Sequence, residues 1–272
     1  MLSVWWYKMD KIQNESFILR NISYKTPDIT IKNQQIEIKQ INIQYNAWEA
    51  LTEIIKSRYS DSDPIYTLNI EPTFDIDAST YLAINGYYKQ AISLLRFWFE
   101  NSMFSIYYQD HPVEFNRFSI GEKSSKRFHM SFSGDLLDYL FEFENFQKFN
   151  ENYSKFNKSK YKSKKDSYYF KSYKEWIQTL YDELSAHIHG RGFHRSSLAN
   201  VKFYRGEVRY YNKDNFQYWC NLYSNVIQIL IISFLLYNPK LLDRHRKKKK
   251  DVISCLSLET VGLLTSTIGI RT

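Results

Sequence analysis

The residues best suited to chemistry lie close together in the segment Tyr181–Ser196 (YDELSAHIHGRGFHRS), which contains three of the six histidines and two arginines. Histidine accepts and donates a proton near neutral pH, and an adjacent arginine holds a phosphate and stabilises charge on a phosphorane-like state. His189 with Arg191, and His194 with Arg195, supply both elements. They follow a stretch that reads as a helix, whose C-terminal dipole favours a protonated imidazole. The same residues also suit a structural job in which His189 and Ser185 fasten a helix end, and the residue types leave both readings open. A metal site suits them less. His187 and His189 are two positions apart, so on a helix they point about 200° away from each other. His189 and His194 can converge across a turn at Gly190, but no cysteine or carboxylate at ligand spacing completes the three or four groups a metal takes. No metal or cofactor is expected, since GxxxxGK[ST], GxGxxG and GxSxG are all missing from the chain.

These residues need helices to position them. Gly and Pro together number 13 in 272 residues, where average usage gives roughly 30, so a fold of many short strands is disfavoured. A long helix is expected from Ala78 to Asp110, with Tyr81, Ile84, Tyr88, Ile92, Leu95, Phe99, Met103 and Ile106 three or four residues apart as its seam. His111-Pro112 ends it. Gly134–Phe149 reads as another helix, and Ser172–His189 as a third, with a Ser-x-x-Glu capping box at Ser172 and Glu175 and a stop at Gly190. The N-terminal part differs. Isoleucines 29, 31, 36, 38, 41 and 43 fall largely in period-two pairs between Asp28 and Tyr45, which predicts strands, followed by a short helix from Asn46 to Tyr59. Val201–Tyr211 reads as a short hairpin, and the tail after Asp251 shows no period.

Asn215–Asn238 is uncharged and long enough to cross a bilayer. Gln217, Asn221, Ser224, Asn225, Gln228 and Ser233 interrupt it, which favours a buried core helix over a membrane span. Cys220 and Cys255 have no redox or metal spacing, and Met1–Tyr7 lacks a basic n-region, so a cytoplasmic setting is expected.

The net charge of +8 is unevenly held. Residues 148–171 carry eight lysines against Glu151 and Asp166, and residues 240–251 carry seven Lys or Arg against Asp243 and Asp251. The rest of the chain is slightly acidic. Both basic stretches read as solvated loops. In the first, Lys162, Lys164 and Lys165 among Tyr153, Phe156, Tyr161, Tyr168, Tyr169 and Phe170 offer phosphate pairing and base stacking to a nucleic acid. A flexible, soluble insertion has the same composition.

Two segments resemble the HEPN superfamily of helical domains, common in prokaryotic antiviral defence and toxin systems. Gly86–Phe118 (GYYKQAISLLRFWFENSMFSIYYQDHPVEFNRF) is similar to its long helix with a Leu-Arg…Glu core and a terminal aromatic-x-x-His-Pro. Leu180–Gly190 (LYDELSAHIHG) is similar to the Tyr-x-x-Leu-Ser-x-x-x-His-Gly ending of a facing helix. The resemblance implies an up-down helical bundle, frequent dimerisation and, in active members, metal-independent RNA cleavage. Active members carry Arg followed, after four to six intervening residues, by His, a spacing not found near the site here, where Arg191 and His194 have two residues between them. Either Arg96 of the first segment reaches His189 in space, or the chain binds RNA or a partner protein without cleaving.

The expectation is a mainly α fold: a strand-containing part at residues 1–75, a HEPN-like bundle at 76–239 with a basic loop at 148–171, and a basic segment and tail at 240–272. The candidate site comprises His189, Arg191, Arg96 and His194 as catalytic residues, with Tyr181, Ser185, Lys162, Lys164 and Lys165 contacting substrate. RNA, a second copy of the chain or a partner protein are the expected partners, with no membrane.

Overall fold

A computed structural model describes residues 26–70, 72–121, 130–160, 170–188 and 211–270. Among these residues every regular element is a helix, as the shortage of turn formers demands. The helices are α1 (Gln35–Arg58), α2 (Pro64–Ile70), α3 (Thr73–Ile84), α4 (Tyr88–Asp110), α5 (Pro112–Ser119), α6 (Leu137–Leu140), α7 (Glu144–Lys160), α8 (Tyr173–Ile188), α9 (Lys213–Tyr237), α10 (Arg246–Ile253) and α11 (Leu258–Ile268). A single π-helical turn, Phe132–Leu136, leads into α6. Residues 1–25, the 201–210 hairpin stretch and the candidates His189, Arg191, His194, Lys162, Lys164 and Lys165 lie outside the described residues.

The strands expected over Asp28–Tyr45 are not formed: residues 26–33 are helical, and α1 runs through the remainder. Ile29, Ile31, Ile36 and Ile43, which supplied much of the period-two pattern, are exposed. The helical seam runs instead through Ile41, Gln44, Trp48, Leu51 and Ile55, three or four residues apart. Its buried Gln44 hides the period from a hydrophobicity reading, because the side chain hydrogen-bonds Ser224 on α9. Helix propensity and strand propensity differ by only about 1 kcal/mol for such residues, so packing decides.

The continuous helix expected over residues 78–110 is broken. α3 ends at Ile84, Gly86 adopts φ 84°, and α4 begins at Tyr88. The seam holds after the break, where Ile92, Leu95, Phe99, Met103 and Ile106 are fully buried, but Tyr81 before it is largely exposed. His111 ends α4 as expected, and Pro112 then opens α5 at a position where a missing N–H costs nothing. The predicted 134–149 helix starts as the π turn and breaks at Phe141–Phe143 before α7.

The basic stretches are also helical in large part. α7 continues to Lys160, and Arg246–Ile253 forms α10. Tyr153 and Phe170 of the first stretch are not free to clamp a base: both stack on Trp176 of α8, with centroids 5.9 and 6.0 Å away.

α9 lies at the centre, in contact with α1, α3, α4, α7, α8 and α11. From Val226 to Leu236 nearly every residue is buried, including Ser233. The groups that interrupt its hydrophobicity meet neighbouring helices. Ser233 Oγ pairs with Tyr173 Oη at 2.9 Å, Asn225 Oδ1 accepts from Trp176 Nε1 at 2.6 Å, and Gln217 donates to Glu37 at 2.9 Å. The helix is long and apolar enough to cross a membrane, yet 72% of its most apolar window is already covered by protein. Beside it, Trp48 of α1 packs edge-on against Trp98 of α4 at 4.8 Å.

Gly86 gives a sign test of the break. In a continuous helix Gly86→Ala would stabilise by about 1 kcal/mol. At the left-handed backbone conformation observed, it is expected to destabilise by about 1–2 kcal/mol, measured by chemical denaturation.

Candidate functional site

Arg96 and Glu100 stand one turn apart on α4, and Tyr181 and Ser185 one turn apart on α8, so each pair occupies a single helix face. The packing of α4 against α8 sets the two faces together. Arg96 Nε donates to Ser185 Oγ at 3.1 Å, and its Nη2 donates to Tyr181 Oη at 3.2 Å. Nη2 also lies 3.3 Å from Glu100 Oε2. Nη1 makes no hydrogen bond among the described residues. The Arg96 side chain keeps 21% of its surface exposed, so the guanidinium lies in the surface of the cleft with its plane set by three partners.

Tyr181 is itself held. Its ring lies parallel to that of Phe132, with centroids 4.0 Å apart, and Phe132 packs against Phe99 of α4 at 5.5 Å. Phe132 is presented by the π turn, which Ser131 caps by accepting hydrogen bonds from the backbone of Gly134 and Asp135. Asp135 answers by accepting from Ser131 N at 2.7 Å, which holds its carboxyl below the usual carboxylate range. The start of α8 is fixed by the capping box seen in the sequence. Ser172 Oγ accepts from Glu175 N at 3.1 Å, and the Glu175 carboxylate accepts from Lys171 N.

His187 serves a different purpose from its neighbours in the sequence. It is buried, and its Nε2 lies 2.7 Å from Tyr218 Oη on α9. Tyr218 Oη in turn donates to Glu183 Oε2 at 3.4 Å. Burial, with a smaller contribution from the charge of Lys89, pushes the imidazole down to about 4. It is therefore neutral at physiological pH, and its work is to join α8 to α9. His111 is likewise taken up locally, stacked on Tyr107 at 4.0 Å.

Of the candidates chosen from sequence, the fold brings together Arg96, Tyr181 and Ser185. Glu100 and Phe132 complete their setting, as Tyr218 and Glu183 complete that of His187. Glu100 had a signal, its i,i+4 spacing from Arg96. Phe132 and Tyr218 had none, because each reaches the site from a separate element. Among the described residues, no three His, Cys, Asp or Glu side chains gather as a metal site. Comparisons with protein-family models, curated proteins and solved structures give no match.

The His187 setting predicts a pH dependence. The unfolded chain protonates this imidazole below about pH 6.5, whereas the folded chain does so only near pH 4. Stability is accordingly level above pH 6.5 and falls as the pH drops through that window, by up to about 3 kcal/mol from this group. Urea unfolding at stepped pH should show that fall, reduced by one proton's worth in His187→Phe.

Proposed function

We propose that this chain is a HEPN-like effector of a prokaryotic antiviral or toxin system, acting as a metal-independent endoribonuclease at the face where α4 meets α8. The observation that supports this reading is the hydrogen-bonded contact of Arg96 with Tyr181 and Ser185. These residues belong to the two separate segments that carry the resemblance, and they are 85 and 89 positions apart.

Cleavage of RNA without a metal needs a group that moves a proton at the attacking or leaving oxygen, and positive charge at the phosphate. Arg96 supplies the charge, with Nη1 left for a phosphate oxygen. Tyr181 and Ser185 set the guanidinium plane, and Glu100 fixes its position along α4. His189 follows four positions after Ser185 in the sequence, directly beyond the described end of α8. It is the acid–base group in this reading, with Arg191 as a second phosphate contact. His187 is excluded from that role by its burial and its bond to Tyr218.

A second reading has a specific observation in its favour. Glu100 already neutralises Arg96, which suits a non-catalytic module that binds RNA or a protein as an accessory or scaffold subunit. Incubation of purified protein with total RNA in EDTA separates the two. Cleavage that survives chelation and falls about 10²–10⁴-fold in His189→Ala, and also in Arg96→Ala, supports the nuclease. Uncleaved RNA, with salt-sensitive binding retained in His189→Ala, supports the module and sinks the nuclease.

A further inference from the structure

The two basic stretches are not equivalent once folded. Along α7 the positive charges are largely answered: Lys148 pairs with Glu144, Lys155 with Glu151 at 3.6 Å, and Lys160 with Glu259 at 3.0 Å. In the second stretch Lys248 pairs with Glu53 of α1, which anchors α10. Lys240, Arg244, Arg246, Lys249 and Lys250 make no ion pair among the described residues.

Those unanswered charges border two adjoining hollows. One, of about 740 Å³, lies between the 239–243 turn, α10 and the end of α11, and is lined by Lys240, Arg246, Lys249 and Lys250 over an apolar floor that includes Leu242 and Ile253. The other, of about 540 Å³, adds Arg58, Arg244 and His245. Lys240 and Asp243 line both, so the hollows adjoin across these two side chains as neighbouring parts of one basic groove face. Asp243 is the sole carboxylate among the described lining residues. Partial burial first, and then the charges of Arg58 and Lys248, hold the His245 imidazole below its usual range. Among the described lining residues of either hollow none is Phe, Tyr or Trp, so these residues offer phosphate contacts without a stacking platform for bases. Two joined hollows edged by separate cations fit a chain of phosphates better than a single compact anion.

We infer that this groove holds the phosphate backbone of an RNA strand without reading its bases, at the end of the bundle remote from Arg96. The choice of RNA over other polyanions rests on the function proposed above. At the groove's end of the bundle Tyr237, two residues before Pro239, donates to Asp110, and Arg96 lies 14 residues earlier on the same helix, α4, so about 20 Å of helix separates the two places. A strand fixed there would be held for a second segment to reach the α4–α8 face.

The test uses the full chain and a labelled oligouridylate. Loss of four phosphate contacts is expected to flatten the slope of log affinity against log salt concentration by about 3 in the combined variant Lys240→Gln, Arg246→Gln, Lys249→Gln, Lys250→Gln. Unchanged affinity and slope in that variant, with its circular dichroism intact, overturn the inference. Titration of the wild-type protein needs no variant: the ring signals of His245 should shift with added oligouridylate while those of His187 stay still, and a still His245 overturns it. Anionic phosphatidylglycerol vesicles are the other arm. Vesicle binding that the variant loses, with oligouridylate binding kept, assigns the groove to a membrane surface and overturns the RNA assignment. The two proposals fail separately. Groove-dependent RNA binding without any cleavage leaves the groove standing and removes the nuclease, whereas cleavage lost in Arg96→Ala with groove-independent binding does the reverse.

Discussion

A helix of 25 residues with charge only in its first turn cannot stand in water, and one with buried Asn, Ser and Tyr groups cannot be covered by apolar surface alone. The central α9 meets both conditions through its neighbours. Its aliphatic face is wrapped by α1, α4, α7 and α8, and its Gln217, Ser224, Asn225 and Ser233 side chains bond specific partners on α1 and α8. Each such bond contributes only about 1 kcal/mol net, but leaving one buried group unanswered costs about 1–3 kcal/mol. The bonds therefore fix register more than they add stability. Tyr173, placed between Ile229 O and Ser233 Oγ, sets how far along α9 the next helix, α8, can sit.

The candidate site inherits that register. Once α8 is set against α9 by Tyr173, Trp176 and His187, its Tyr181 and Ser185 can meet Arg96 on α4 at hydrogen-bond distance. The aromatic stack of Phe132 on Tyr181 then closes the cleft from the side of the π turn. The histidine nearest this cleft in the described sequence is spent on holding helices together, and its lowered proton affinity follows from that burial. On α8 the buried, neutral His187 imidazole and, two residues earlier, the Ser185 hydroxyl that orients the Arg96 guanidinium show how one short segment divides structural from chemical work.

Charge is divided in the same way. The lysines of α7 are largely matched by carboxylates one turn away or on α11, whereas those of the 240–250 segment converge on concave surface. Composition treats the two stretches alike, since each has a similar excess of Lys and Arg. Only the fold, by packing α10 against α1 with the Lys248–Glu53 pair between them, turns the second stretch into a groove.

What the sequence determined by itself was the mainly helical class, the start of α8 with its Ser172–Glu175 cap, the end of α4 at His111-Pro112, and the burial of α9. Each depends on residues close in the chain, where capping, proline sterics and 3.6-residue periodicity act locally. The tertiary structure decided the rest. Isoleucines at period two entered a helix because Gln44 and Trp48 had partners on other helices. The long seam broke where Gly86 could turn the chain, and the lysine-rich chain up to Lys160 continued as helix with Tyr153 stacked on Trp176. In the candidate site, Arg96, Tyr181 and Ser185 were legible as residue types, but their contact depends on groups far apart in the chain. Such contacts leave no local pattern, because their energy comes from the packing of whole helices around α9.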